Sequence, residues 1–70
     1  MSPRRSNVSV TPFRFWWNVS WIDAEMIPKH GHGEMELLFK KRQRADEFAR
    51  SLTNGASEEV LWQLARARLT

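Results

Sequence analysis

The sequence predicts an α+β fold, an antiparallel β-hairpin or three-stranded meander followed by two C-terminal α-helices packed on one sheet face. Three observations predict it. Apolar residues alternate with polar ones in the first half of the chain, they recur at helical spacing in the second half, and a Gly-containing segment joins two alternating stretches. Because a two-stranded sheet is not stable by itself, we expect the helices to cover its apolar face.

The chain has 70 residues and no cysteine. A chain of this length forms one domain, buries only about 60 % of the surface of its unfolded state, and usually needs disulfides, a metal or oligomerisation for stability. Without cysteine, we expect that support from oligomerisation or a partner. We predict a flexible basic arm over residues 1–7 and a single domain over residues 8–70.

The charge balance is basic. The 11 Lys and Arg residues exceed the 8 Asp and Glu residues, and the formal charge of +3 permits nucleic acid or an acidic partner and demands neither. No apolar run approaches the ~20 residues of a membrane span. No apolar segment follows the basic N-terminal residues, so no signal peptide is predicted. We expect a soluble, cytoplasmic protein with no membrane partner.

Extended structure is predicted for residues 8–22. Val8 and Val10 begin it, and the apolar positions change from even to odd at Thr11-Pro12. We predict a bulge or kink there, because Pro has no N–H to give a β-ladder. Residues 13–22 then have the pattern of the main strand. Its odd positions are the predicted core: Phe13, Phe15, Trp17, Val19 and Trp21.

The even face of the same strand is predicted to meet solvent, yet it carries Trp16 and Ile22 beside Arg14. Residues 23–33 contain one Pro and two Gly and are predicted to form a turn or loop. Residues 34–40 alternate again as a second strand. Its predicted core side chains are Met35, Leu37 and Phe39, with Leu38 on the opposite face.

Two helices are predicted in the C-terminal half. Residues 44–52 have apolar side chains at helical spacing, and Asn54-Gly55 favours a left-handed end to that helix. Ser57 is the predicted N-cap of a second helix that runs to about Arg68. This second helix is apolar on more than one side. Part of its surface is therefore expected to contact a second chain or a partner.

No catalytic site is predicted. His30 and His32 lie near Glu34 and Glu36, but a structural zinc site normally uses four preorganised ligands. We favour a Gly-rich turn with polar side chains, and we predict no metal and no cofactor. The chain has no nucleophile elbow, P-loop or dinucleotide fingerprint, and we expect it not to be an enzyme.

The surplus apolar residues favour a protein interface, since exposed Trp is a frequent interface anchor. We predict a binding module that docks on a larger protein or protein complex through the outer sheet face and the second helix, as a homodimer. The size and basicity suit accessory proteins of phages or mobile elements, many of which inhibit a host complex. The predicted interface residues are Arg14, Trp16, Ile22, Leu38, Trp62, Arg66 and Leu69.

Nucleic-acid binding is the alternative. A basic run lies where the second strand meets the first helix, and exposed Trp16 could stack a base. Four charges within five residues could neutralise about three or four phosphates, so binding would weaken with salt. The residues predicted for this alternative are Arg4, Arg5, Lys40, Lys41, Arg42 and Arg44.

The hairpin ending in Phe39-Lys40-Lys41, followed by Ala-x-x-Phe-Ala from Ala45 to Ala49, resembles the arm-type DNA-binding domains of phage integrases. The resemblance covers about half of the chain. It implies that sheet residues would read the major groove of DNA.

Overall fold

The computed structural model describes residues 4–70, which form a three-stranded antiparallel sheet with helices on one face. The strand order is β1-β2-β3, a meander, and the predicted α+β fold with two C-terminal helices is confirmed. The elements in chain order are β1 (Arg5–Phe13), β2 (Trp16–Asp23), a 3₁₀ turn (Ala24–Met26), α1 (Ile27–His30), β3 (Glu34–Phe39), α2 (Arg42–Thr53), α3 (Glu58–Arg66) and a second 3₁₀ turn (Ala67–Leu69).

The predicted strand over residues 13–22 is wrong in its first three residues, because the chain reverses there. Phe13 ends β1, Trp16 begins β2, and the two residues are paired across the hairpin. Arg14 and Phe15 form the two-residue turn between them. The alternating pattern runs through the turn without a break, so period two alone does not reveal the reversal.

The bulge predicted at Thr11-Pro12 is also wrong. The register between β1 and β2 shifts between Ser6 and Ser9 instead, where Asn7 has φ 54°. Pro12 lies on an edge strand, where a missing N–H is tolerated. The apolar positions change from even to odd because of the hairpin. Val10 in β1 pairs with Val19 in β2, and directly paired residues share a face of the sheet.

The core lies between the sheet and α2. Val19 and Phe39 are completely buried, and the Phe39 and Phe48 rings are 5.1 Å apart between centroids. Trp17 and Trp21 are half-buried against this cluster. The other buried apolar residues are Ala45, Leu52 and Leu61.

Two residues predicted to be core are exposed. Phe13 lies opposite Trp16 on the outer face of the sheet, and Phe15 lies in the turn. Neither is covered by a helix, because α2 and α3 occupy the other face. The prediction failed since it continued the inward face of β2 past the point where β2 begins.

The predicted helices are confirmed. In α2 the buried residues Ala45, Phe48 and Leu52 follow helical spacing, and Gly55 after the helix has φ 72°. The hydroxyl of Ser57 accepts a hydrogen bond from the Val60 N–H at 3.4 Å, as an N-cap should. The last predicted turn of α3 is a 3₁₀ turn rather than α-helix.

The predicted loop over residues 23–33 contains α1, a single helical turn that ends at Gly31 with φ 79°. Gly33 is required for packing, because a Cβ there would lie 2.5 Å from the Asp23 carbonyl oxygen. The Asp23 N–H donates to the Gly33 carbonyl at 2.7 Å, so β2 and β3 come together at this point.

The N-terminal strand begins at Arg5, within the segment predicted to be a flexible arm. The Ala24 N–H donates to the Arg4 carbonyl at 2.7 Å, and the Arg4 side chain is 3.2 Å from Asp23. These bonds hold residues 4–7 on the sheet, which the basic composition of the segment did not indicate. Residues 1–3 of the predicted arm lie outside the described residues.

Candidate protein interface

The most exposed large apolar side chains of the sheet lie at its β1–β2 turn and near the end of β3. Phe15 is 93 % exposed, Phe13 is 51 % exposed and Leu38 is 36 % exposed. Trp16 is half-buried beside them. We call these four residues the aromatic patch. Buried aromatic side chains in a domain this small would contribute to folding, so their exposure indicates another use.

The sheet register places the patch on the outer face. Trp17 and Val19 pack on the core, so Trp16 points to the opposite side. Phe13 pairs with Trp16, and therefore shares that face. Phe13 and Leu38 line one shallow groove of about 530 Å³, whose other lining residues are Asn18, Glu36, Leu37 and Arg68.

The turn that presents Phe15 has an unusual backbone. Arg14 has φ 55°, and among the described residues only Arg14 and Asn7 combine a side chain with positive φ. Two-residue turns with positive φ at the first position favour Gly there. The Arg14 guanidinium lies 6.0 Å from the centroid of the Phe13 ring. An Arg in this conformation costs about 1–2 kcal/mol relative to ordinary backbone.

Cationic side chains surround the same end of the sheet. Phe39 pairs with Trp17, so the basic run that follows β3 lies beside the patch. Arg42 is partly engaged, with its guanidinium 5.2 Å from the Trp17 ring and 3.7 Å from Asp46. Lys40, Lys41 and Arg44 are exposed and form no ion pair with any described residue.

The first turn of α2 strengthens this positive field. It contains no acidic residue, although acidic side chains there would stabilise the helix. Lys41 is the N-cap residue and offers no side-chain acceptor to the free N–H groups. The helix N-terminus and the basic run therefore add their positive charges at one end of the sheet.

Arg4 and Arg5, predicted for the nucleic-acid alternative, lie at the opposite end. Arg5 pairs with Asp23 in the β1–β2 register, and β2 separates Asp23 from Trp16 by about 23 Å at ~3.3 Å a residue. Arg4 is 3.2 Å from Asp23 and 2.8 Å from Glu58. The hydrogen bond to Asp23, and then that to Glu58, raise the pKa of Arg4 despite partial desolvation.

The structure divides the predicted interface residues between two surfaces. Trp16, Ile22 and Leu38 lie on the outer sheet face, and Arg14 lies in the turn beside it. Trp62 is 64 % exposed and lines a cleft of about 460 Å³ with the core-side residue Trp21. A single flat partner surface cannot contact both faces of the sheet at once. The remaining predicted residues are Arg66 and Leu69, both exposed near the C-terminal end of α3.

Sequence reasoning placed Phe13 and Phe15 in the core and missed their exposure. The change of apolar parity near Pro12 was the available signal, because a hairpin turn reverses which positions face inward. A two-residue turn usually contains Gly or Asn, which makes it recognisable in the sequence, and Arg14-Phe15 contains neither.

Among residues 4–70, no three His, Cys, Asp or Glu side chains lie close enough together to hold a metal ion. His30 and His32 are both exposed. None of the helices within the described range has the length and apolar character to cross a membrane.

No family model, curated protein or solved structure matches this chain. The resemblance to phage integrase domains therefore rests on the sequence pattern alone.

Proposed function

We propose that this chain is a non-enzymatic protein-binding module that docks on a larger protein through the aromatic patch. The observation that carries the proposal is the 93 % exposure of Phe15 at the tip of the β1–β2 turn, with Phe13 and Trp16 behind it. A protruding aromatic side chain flanked by half-exposed ones is the arrangement of an interface anchor, which fills a pocket of the partner.

The cations around the patch favour a partner with acidic groups beside its apolar pocket. Arg14, Lys40, Lys41 and Arg44 are free of ion pairs with the described residues, so a partner's carboxylates could pair with them without first breaking bonds within the chain. Such rim charges would act mainly on the association rate, while the aromatic side chains would supply most of the affinity.

Nucleic acid remains the second candidate, because the same cations lie beside aromatic rings. A single strand could place about four phosphates on them and stack a base on Phe15 or Trp16. The outer sheet face argues against groove reading by the sheet, since Glu34 and Glu36 lie on it and would repel phosphate. A protein partner tolerates these carboxylates more readily than DNA does.

The homodimer and the role as an accessory inhibitor of a host complex also stay proposals. The exposed Trp62 on α3 supports a second contact surface distinct from the patch. The small size and the two separate contact surfaces, the aromatic patch and the surface around Trp62, suit a protein that blocks a complex by occupying one of its interfaces.

The test is affinity capture from the native host cells with wild type, Phe15→Ala and Ile27→Ala. Ile27 is a matched control because it is also apolar and exposed but lies on α1, at the other end of β2. We expect Phe15→Ala to weaken binding of the captured partner by about 30-fold, as for a hot spot worth about 2 kcal/mol. Ile27→Ala should bind like wild type.

Equal binding by Phe15→Ala and wild type would contradict the proposal. A parallel titration with single-stranded DNA and RNA at two salt concentrations separates the alternative. Tight binding that falls steeply with salt, and that Lys40→Ala and Lys41→Ala weaken, would favour nucleic acid over a protein partner.

A further inference from the structure

The outward face of α3 carries a stripe of exposed side chains. Leu61 of this helix is buried in the core, and Ala65 packs against the same cluster. On the opposite side of the helix, four exposed residues recur at helical spacing and line a shallow groove of about 390 Å³. We call these residues the α3 stripe: Glu59, Trp62, Gln63 and Arg66. The described elements leave this face uncovered, so it can contact another molecule.

The α3 stripe is apolar at its centre and oppositely charged at its ends. Trp62 is 64 % exposed, and Trp is a frequent interface anchor. Glu59 and Arg66 are two helical turns apart, which is about 10 Å along the helix axis. Neither forms an ion pair with another described residue. The helix dipole favours an acid at the start and a base at the end, but it does not account for the exposed Trp between them.

We propose that two copies of this chain pair through the α3 stripe, with the two helices antiparallel and the two-fold axis between Trp62 and Gln63. This deepens the homodimer part of the proposed function. Antiparallel pairing brings Glu59 of each copy opposite Arg66 of the other, so two opposite-charge pairs flank the axis. The two Trp62 side chains lie at the same level beside the axis, where they cover each other.

The order of charges selects a second copy of the chain as the occupant of this face. A stripe that begins with an acid and ends with a base is complementary to itself when one copy is reversed. Parallel pairing would instead place Glu59 opposite Glu59 and Arg66 opposite Arg66. Like charges facing each other in an interface are destabilising, so the antiparallel arrangement is favoured.

The rest of the domain leaves room for a second helix. At about 100° a residue, Glu59 lies roughly 160° round the helix from Leu61, whose side packs on the core. α3 makes its main contacts with α2 and the second 3₁₀ turn, and these lie behind the stripe. The pairing uses no backbone group of β3, so the hydrogen bond from the Lys40 N–H to the Arg68 carbonyl is kept. Two helices can therefore approach to the usual 8–10 Å or so between axes.

The interface is small, which sets the strength expected of the dimer. α3 has nine residues, about 13 Å of helix. Such a contact falls below the roughly 1,200 Å² of stable interfaces, in the range of weak and reversible association. We therefore expect a dimer that dissociates on dilution within the range from about 1 mM to 10 μM.

The first test is the mass of the protein in solution, measured by sedimentation and light scattering over that concentration range. The mass should rise towards twice the 8.3 kDa of one chain. Trp62→Ala should weaken the dimer by about 30-fold, as expected for a central anchor. Val60→Ala is the matched control, because Val60 is an apolar α3 residue that is 43 % exposed but lies outside the stripe. It should dimerise like wild type.

The second test is charge exchange between two variants. Glu59→Arg and Arg66→Glu each replace two attractive pairs with two repulsive ones, so each variant alone should dimerise about tenfold more weakly. An equimolar mixture of the two variants again places opposite charges together. Its dissociation constant should return to within about threefold of that of wild type. The mixture separates a lost contact from a damaged helix, because a damaged helix would not be rescued by mixing.

A wild-type protein that stays monomeric up to about 1 mM would overturn the proposal and the homodimer together. A dimer that keeps its strength in Trp62→Ala, or charge variants that associate no better mixed than alone, would overturn the α3 pairing and leave the homodimer. The aromatic patch is tested separately, because Phe15→Ala should leave the mass unchanged while it weakens partner binding.

Discussion

Arg14 is the residue whose replacement tests the geometry of the β1–β2 turn most directly. At ordinary backbone positions, a Gly variant has a free energy of unfolding roughly 0.5–1 kcal/mol lower than an Ala variant, because Gly gives the unfolded chain more conformational freedom. Arg14 has φ 55°, a conformation that side chains with a Cβ rarely adopt. At this position, the Gly variant should therefore be more stable than the Ala variant.

The magnitude follows from two opposing free energies. Placing a Cβ in the left-handed region costs about 1–2 kcal/mol. Gly has no Cβ and avoids this cost, but its greater freedom in the unfolded state offsets about 0.5–1 kcal/mol of the stability so gained. Arg14→Gly should then be more stable than Arg14→Ala by about 0.5–1 kcal/mol, or about 3–6 °C in Tm for a domain of this size.

The comparison of Arg14→Gly with Arg14→Ala isolates the contribution of the backbone conformation to stability. Both variants lose the guanidinium that lies 6.0 Å from the Phe13 ring, so its contribution cancels. Urea unfolding followed by Trp fluorescence gives the free energy of unfolding for each variant. Thr11 in β1 provides the control position, where Thr11→Gly should be less stable than Thr11→Ala.

A Gly variant at position 14 that is less stable than the Ala variant would refute the turn geometry. The result also bears on function. If Arg14→Gly is stabilised yet binds its partner less well, then the strain at the turn is retained for the sake of the interface.

Two further predictions concern the other end of the sheet. Gly33→Ala should lower the free energy of unfolding by about 1–3 kcal/mol in urea unfolding, because its Cβ would lie 2.5 Å from the Asp23 carbonyl oxygen. In Gly55→Ala the new Cβ meets no atom within 4 Å, so that variant should lose only the roughly 1 kcal/mol that a Cβ costs at φ 72°. Asp23→Ala should lower the free energy of unfolding by about 2–3 kcal/mol, because the buried carboxylate accepts from Arg4 and from the Glu25 N–H. Asp23→Asn keeps an acceptor for Glu25 and should lose about half as much; equal losses would mean that the cap contributes nothing.

Much of the fold was predictable from the sequence because its signals are local. The stripe of Ala45, Phe48 and Leu52 predicts a helix without knowledge of what covers it. Ser57 is recognisable as an N-cap since its hydroxyl bonds a backbone N–H only three residues away. The alternation of Met35, Leu37 and Phe39 likewise predicts β3 and its inward face.

The candidate site was less predictable, because it depends on where the chain reverses. Alternation continues unchanged through Phe13, Arg14 and Phe15, and only the pairing of Phe13 with Trp16 shows that a turn lies between them. That one reversal moves Phe13 and Phe15 from the predicted core to the aromatic patch. The same strand register pairs Arg5 with Asp23, so Arg4 and Arg5 lie at the opposite end of the sheet from the basic run.

The sequence by itself determined the element types, the face of each helix and strand that is apolar, and the excess of apolar residues over what one core holds. Those properties depend on residues that are neighbours along the chain. The tertiary structure alone decided which excess residues come together and which cations are neutralised. These depend on where the chain reverses and how its strands pair, since a shift of one residue exchanges the two faces of a strand.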